Sequence, residues 1–151
     1  MNKPFFLYFF VALFAFTSVQ SIAQTSPRKI TWDTLRDVTF KKKWNANEGM
    51  FILEPQFGDK VKELNSKEIV LTGYMIPVDI DANYYVLSAN PCASCFFCGQ
   101  AGPESVVSVK FKNLSKRFNT DDRVAIKGKF RLNASDINDL NYIIDAAEVA
   151  P

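Results

Sequence analysis

The sequence contains no histidine among its 151 residues. Histidine is the commonest metal ligand and the usual general base near neutral pH, so its absence argues against the most frequent kinds of catalytic and metal site. The charge is also nearly balanced, because 18 basic residues oppose 16 acidic ones. A nucleic-acid-binding protein usually carries a strong basic excess, and we therefore expect no nucleic-acid partner.

Cysteine is scarce, and all three cysteines, Cys92, Cys95 and Cys98, lie in one segment with the spacing C-x-x-C-x-x-C. Proline and glycine surround them, which predicts a tight irregular loop because proline fixes φ and glycine permits positive φ. Strand-like stretches precede and follow this cysteine loop. The residues expected to support it are Phe96, Phe97, Gly99, Gly102 and Pro103.

Long hydrophobic runs are limited to one, which extends without charge from Pro4 to Phe16 behind the basic Lys3. The small residues Ser21 and Ala23 follow it, so residues 1–23 are interpreted as a signal peptide cleaved before Gln24. The run is shorter than the roughly 20 apolar residues that span a bilayer. We expect an extracytoplasmic protein, periplasmic or secreted, where thiols tend to oxidise.

Alternating apolar and polar residues predict five strands in the second half of the chain. The first of them carries Gly73 at its centre, which is typical of a bend or bulge. The strand count and the polar link after the third strand favour an all-β fold, a small five-stranded OB-like barrel over residues 67–151. An open antiparallel meander is the alternative. The predicted strands are 68–78, 84–89, 106–112, 123–132 and 142–149.

Residues 24–66 show weaker patterns and are interpreted as an irregular N-terminal flap over the barrel. Helical turns are expected at Trp32–Leu35 and around Val61 and Leu64. An apolar extended stretch over residues 50–53 is expected to end before Pro55.

Basic residues alternate with apolar ones along the third and fourth predicted strands and are expected to share an outward face. That face is either an anion or lipid-headgroup surface or, in the favoured interpretation, a solvated edge kept soluble by lysine. The residues are Lys110, Lys112, Lys127, Lys129 and Arg131.

Several segments resemble the exported bacterial proteins grouped as domain of unknown function 3299 (DUF3299). The most specific are Gly-Tyr-Met-Ile-Pro at 73–77 and Cys-Phe-Phe-Cys-Gly at 95–99, with support from 31–35, 55–57 and 102–106. The resemblance implies an extracytoplasmic bacterial domain, often encoded near transporters, with no established activity. Many members carry a cysteine–histidine pair and a proline-rich run in this loop, and this chain has neither.

Four interpretations of the cysteine loop stay open, and a structural disulfide is favoured. Metal capture by Cys95 and Cys98 is the second, because Gly99 completes a knuckle-like turn. Zn²⁺ requires four ligands, so an acidic residue such as Glu104 would have to contribute, whereas Cu(I) accepts two or three thiolates. Thiol–disulfide exchange is the third, and an iron–sulfur cluster, which lacks its fourth cysteine, is the last.

The sequence thus favours an exported, non-enzymatic accessory or binding module of the envelope, with an envelope transporter or membrane protein as its partner. The alternative is a soft-metal (copper or zinc) handling or thiol-redox protein that acts through Cys92, Cys95 and Cys98. We expect Cys92 to be the most exposed and most dispensable of the three, since the glycine of the knuckle follows Cys98.

Overall fold

The computed structural model describes residues 26–79, 84–94, 98–99, 101–113 and 117–151, so the predicted leader lies outside the described residues. Within these ranges, no helix has the length and apolar character needed to cross a membrane. The helices are α1 (Trp32–Leu35) and α2 (Asp59–Lys62). The strands are β1 (Arg28–Lys29), β2 (Val38–Asn45), β3 (Met50–Phe57), β4 (Glu68–Asp79), β5 (Tyr84–Ser88), β6 (Val106–Phe111), β7 (Arg123–Leu132) and β8 (Tyr142–Val149).

The five strands β4 to β8 form a closed barrel. Their order is β4-β5-β6-β8-β7, and β4 also pairs with β7, which closes the sheet on itself. The β6–β8 pair is parallel, whereas the other barrel pairs are antiparallel. The predicted all-β fold with a five-stranded OB-like barrel is confirmed, and β1 adds a short extra strand beside β4.

Successive side chains of a β-strand point to opposite faces, so every second residue of each barrel strand points into the interior. On β4, for example, Ile69, Leu71 and Met75 are buried in the same core as Ile126 and Phe130 of β7. At one end of this core, the aromatic rings of Phe57, Phe130 and Tyr142 lie next to one another. The interior is therefore a continuous apolar core that includes a residue of the N-terminal region.

The N-terminal region is held on the barrel by hydrogen bonds and by buried apolar side chains. The Ile30 N–H donates to the Val70 carbonyl, and the buried Tyr142 hydroxyl donates to the Leu35 carbonyl at 2.8 Å. Both predicted helical turns are present, and Val61 and Leu64 are fully buried. Residues 26–66 are thus packed as part of the same body as the barrel.

The flap is more regular than expected, because β2 and β3 form an antiparallel hairpin along eight paired positions. The expectation that Pro55 ends the extended stretch is wrong, since β3 continues through it to Phe57. A two-stranded sheet leaves one side of each strand without a neighbour, so a proline whose nitrogen faces that side removes no ladder hydrogen bond. Pro55 is buried and sits opposite Phe40.

Candidate functional site

The cysteine loop lies between β5 and β6 and is described in part. Cys92–Ser94 and Pro103–Ser105 form short 3₁₀ turns at its two ends. Cys95, Phe96 and Phe97 lie outside the described residues. A disulfide or metal site that involves Cys95, and the supporting role of the two phenylalanines, therefore stay predictions.

Cys92 anchors the first turn of the loop to the barrel. Its N–H donates to Asp121 Oδ1 at 2.7 Å, and its side chain packs on a small apolar cluster of Ile76, Val86 and Val106. These residues lie on the outer side of the barrel wall, because their neighbours along the strands point into the core. Cys92 is therefore half-buried.

Cys98 is exposed, so the expectation that Cys92 is the more exposed thiol is wrong. The apolar outer wall draws Cys92 down onto the barrel, and the sequence pattern did not reveal this second cluster. The Cys98 Sγ lies 2.9 Å from the Cys92 carbonyl oxygen, so the loop folds back on itself. Gly99 has φ of +72°, the conformation for which the sequence predicted glycine.

The far end of the loop meets the N-terminal helix. Glu104 folds back over Gly102, where an added Cβ would collide with its carboxylate. Both residues line a polar cavity of about 250 Å³ together with Trp32 and Arg36. Within the described ranges, no three Cys, Asp or Glu side chains converge in a way that would hold a metal ion.

Replacing Cys92 with serine is expected to lower the free energy of unfolding by about 1 kcal/mol, because a hydroxyl then replaces a thiol against an apolar cluster. This effect should be the same with and without reductant in urea unfolding. A Cys92→Ser variant as stable as the parent would contradict the packing role of this side chain.

Cys98→Ser is the matched variant, since Cys98 is exposed and contributes less to packing. If Cys98 belongs to a disulfide, the variant should lose roughly 2–4 kcal/mol under oxidising conditions only. If it is a metal ligand, Cu(I) or Zn²⁺ uptake should fall instead.

A second feature is the loop between β7 and β8, residues 133–141, which folds over the outer barrel wall. Its Leu140 joins the cluster under Cys92. Alternation along β6 places Ser108 on the same outward side as Lys110, yet Ser108 is fully buried under this loop. Its hydroxyl donates to Asp139 Oδ1 at 2.6 Å. Lys110 Nζ lies 2.5 Å from the other Asp139 oxygen.

The contacts from Ser108 and Lys110 favour the ionised form of the Asp139 carboxylate. Burial raises the pKa of Asp139, but the hydrogen bonds from Lys110 and Ser108 outweigh burial and hold the pKa below its ordinary value of 3.8. The carboxylate is therefore ionised at neutral pH and ties the loop to β6.

Asn133 organises the same loop from within. Its side-chain amide donates to the carbonyls of Asp136, Asp139 and Leu140 at 2.7–3.2 Å. Its Oδ1 accepts the N–H groups of Ser135 and Asp136. The Asn/Asp/Ser content of this segment is the usual signal for such turns, but it does not indicate that Asn133 organises them.

An open apolar groove of about 370 Å³ lies between β3 and this loop. Phe51 and Leu53 form one wall, Ile137 and Leu140 form the other, and Pro103 lies at the end of the cysteine loop. The groove is thus the place where the hairpin, the β7–β8 loop and the cysteine loop meet.

The hairpin continues the groove outward as an exposed surface, here called the hairpin face: Trp44, Phe51 and Leu53. Trp44 pairs with Phe51 across the strands and contacts it edge to face, with ring centres 5.1 Å apart. The three side chains are 54–55% exposed. Contiguous apolar surface of this kind marks a binding surface more often than a part of the fold.

The basic strand residues, by contrast, are mostly matched by carboxylates. Arg131 makes a two-pronged contact with Asp145, whose hydrogen bond raises the pKa of Arg131, and Lys127 lies 3.1 Å from Glu148. These pairs support the solvated-edge interpretation of that face. The full set of pairs is Lys110–Asp139, Lys112–Glu148, Lys127–Glu148 and Arg131–Asp145.

Comparison with known proteins identifies one fold relative. No family model and no curated protein matches the sequence. The structure is similar to the crystal structure of a DUF3299 family protein from Pseudomonas aeruginosa PAO1, with a TM-score of 0.53 and 19% sequence identity. The match covers 84% of this chain and 97% of that protein. The chain therefore has the fold of a DUF3299 family protein, which is the family that its sequence motifs resemble.

Proposed function

We propose that this protein is an exported, non-enzymatic accessory module of the bacterial envelope that binds a partner through the groove and the hairpin face. The observation that carries this proposal is the run of half-exposed apolar side chains, Trp44, Phe51 and Leu53, beside an open groove. Complete burial of a large apolar side chain stabilises by about 1.5–3 kcal/mol, and these side chains, 54–55% exposed, leave about half of that for a partner to supply.

The cysteine loop supports the groove in this proposal. Cys92 fixes one end of the loop to Asp121 and the outer wall, and Pro103 lines the groove at the other end. A disulfide within the loop would hold Pro103 in place at the groove. The favoured structural role of the cysteines would then be to keep the groove in shape. In this role the thiols take part in no reaction.

Replacing both Phe51 and Leu53 with serine is expected to weaken the binding of an uncharged apolar dye, Nile red, by at least about tenfold. The two changes remove more than the 1.4 kcal/mol of apolar contact that corresponds to this factor. Dye fluorescence titrated against the folded protein measures the effect.

Val149→Ser is the matched control, because Val149 is 53% exposed on β8 and does not line the groove. It should bind the dye like the parent protein. Equal dye affinity in the double variant and the parent would show that the groove is not the binding surface, and the proposal would then fall.

A further inference from the structure

We propose that the partner of the hairpin face is the anionic surface of a lipid bilayer, an inference that rests on the proposed function. The hairpin combines exposed aromatic and aliphatic side chains with three consecutive lysines, Lys41 to Lys43, all of them exposed. This is the composition of a segment that lies in a membrane interface, where apolar side chains enter the acyl boundary and lysines meet the headgroups.

The arrangement of the charges supports this partner. Lys42 lies on the same face as Trp44, Phe51 and Leu53, and its Nζ is 4.6 Å from the centre of the Phe51 ring. Lys43 pairs with Glu54. Lys41 lies on the opposite face of the hairpin, across from Glu54. Lys42 has no carboxylate within ion-pair distance among the described residues, so its positive charge stays available to phosphate groups beside the apolar surface.

The shape and composition also favour a lipid surface over a protein. Lysine is depleted from the centre of protein–protein interfaces, whereas tryptophan and lysine together are enriched at membrane interfaces. Long lysine side chains reach the headgroups while their methylene groups cover apolar neighbours, as Lys42 does over Phe51. The two-stranded hairpin presents its exposed aromatic pair and Leu53 along one face, as attachment to a bilayer boundary requires.

Both parts of the surface are needed for attachment. One lysine beside an anionic bilayer contributes a factor of roughly five in affinity, which is the contribution expected from Lys42 on the hairpin face. Lys41 adds a smaller contribution from the opposite face. A single weak anchor gives only marginal, reversible binding, and stable attachment takes two signals. The hairpin supplies them as charge and as apolar area.

The test uses vesicles of phosphatidylcholine, with and without phosphatidylglycerol, and the folded protein recovered from a bacterial host. The parent protein should co-sediment with the anionic vesicles and not with the neutral ones. The double variant Lys41→Gln/Lys42→Gln should bind the anionic vesicles at least about fivefold more weakly. The matched variant Lys60→Gln/Lys67→Gln removes two exposed lysines outside the hairpin and should bind like the parent.

Tryptophan emission provides a second readout. Trp44 is exposed, whereas the indole of Trp32 donates to the Thr72 carbonyl at 2.8 Å in a partly buried place. Emission should therefore shift to shorter wavelength on anionic vesicles, and Trp44→Phe should abolish the shift.

The outcomes separate the two proposals. Absence of vesicle binding by the parent, or equal loss in both lysine variants, would overturn the lipid assignment. If Nile red still binds the groove in that case, the proposed function stands and a protein partner replaces the lipid surface. If neither the dye nor the vesicles bind, both proposals fall.

Discussion

Replacing Gly73 with valine is expected to lower the free energy of unfolding by about 3 kcal/mol or more. A Cβ at this position would lie 2.5 Å from the Ser88 carbonyl oxygen, 2.9 Å from Leu87 Cγ and 3.0 Å from Trp32 Cζ2. The first of these atoms is backbone of the neighbouring strand and cannot move without opening the β4–β5 pair. Urea unfolding followed by circular dichroism measures the loss.

Gly102→Ala is the matched control for this substitution. The three atoms nearest to a Cβ added at Gly102 all belong to the carboxylate of Glu104, the end of a flexible side chain that can move away. We expect this variant to lose less than about 1 kcal/mol. If the two glycine variants are equally stable, the close approach of Trp32 and β5 to Gly73 does not constrain the barrel.

Replacing Asn133 with alanine is expected to cost about 2–3 kcal/mol and to abolish dye binding in the groove. The change leaves three carbonyls and two N–H groups without their side-chain partner, and each polar group that stays buried and unpaired carries a penalty. The loop of residues 133–141 then no longer holds Ile137 and Leu140 against the groove. Unfolding and Nile red titration measure the two effects.

Asn138→Ala provides the comparison within the same loop. The Asn138 side chain is exposed, and among the described residues its one hydrogen bond goes to the side chain of Asp136. Its loss should therefore change stability by less than about 0.5 kcal/mol and leave dye binding intact. Equal behaviour of the two asparagine variants would contradict the organising role of Asn133.

The barrel was predictable because its signals are local. Alternation along β7, from Val124 to Leu132, appears in the sequence in the same order in which side chains face the core. Gly73 predicted a bend or bulge in mid-strand, but the irregularity in pairing along β4 falls later, between Pro77 and Asp79. At Gly73 the structure instead shows a close approach of the neighbouring strand and of Trp32. The observed ends of the barrel strands match the predicted ends to within one residue, because turn-forming residues flank these strands.

The candidate site was not predictable, because it depends on contacts between distant segments. Phe51 and Ile137 form one groove only after the hairpin and the β7–β8 loop have docked on opposite sides of it. Ser108 and Cys92 form hydrogen bonds to Asp139 and Asp121, which lie about 30 positions further along the chain. No local sequence pattern predicts such contacts. The cysteine spacing identified an unusual loop but not what that loop supports.

The position of β8 in the barrel has a consequence for how the chain folds. This strand is the last in sequence, yet it lies between β6 and β7, and its first residue bonds to Leu35, 107 positions earlier. Until β8 has paired, β6 and β7 each have one edge without a neighbouring strand, and the barrel does not enclose its core. Because such distant pairings must form before they stabilise the fold, we expect folding to be slow and to begin only once β8 is available for pairing.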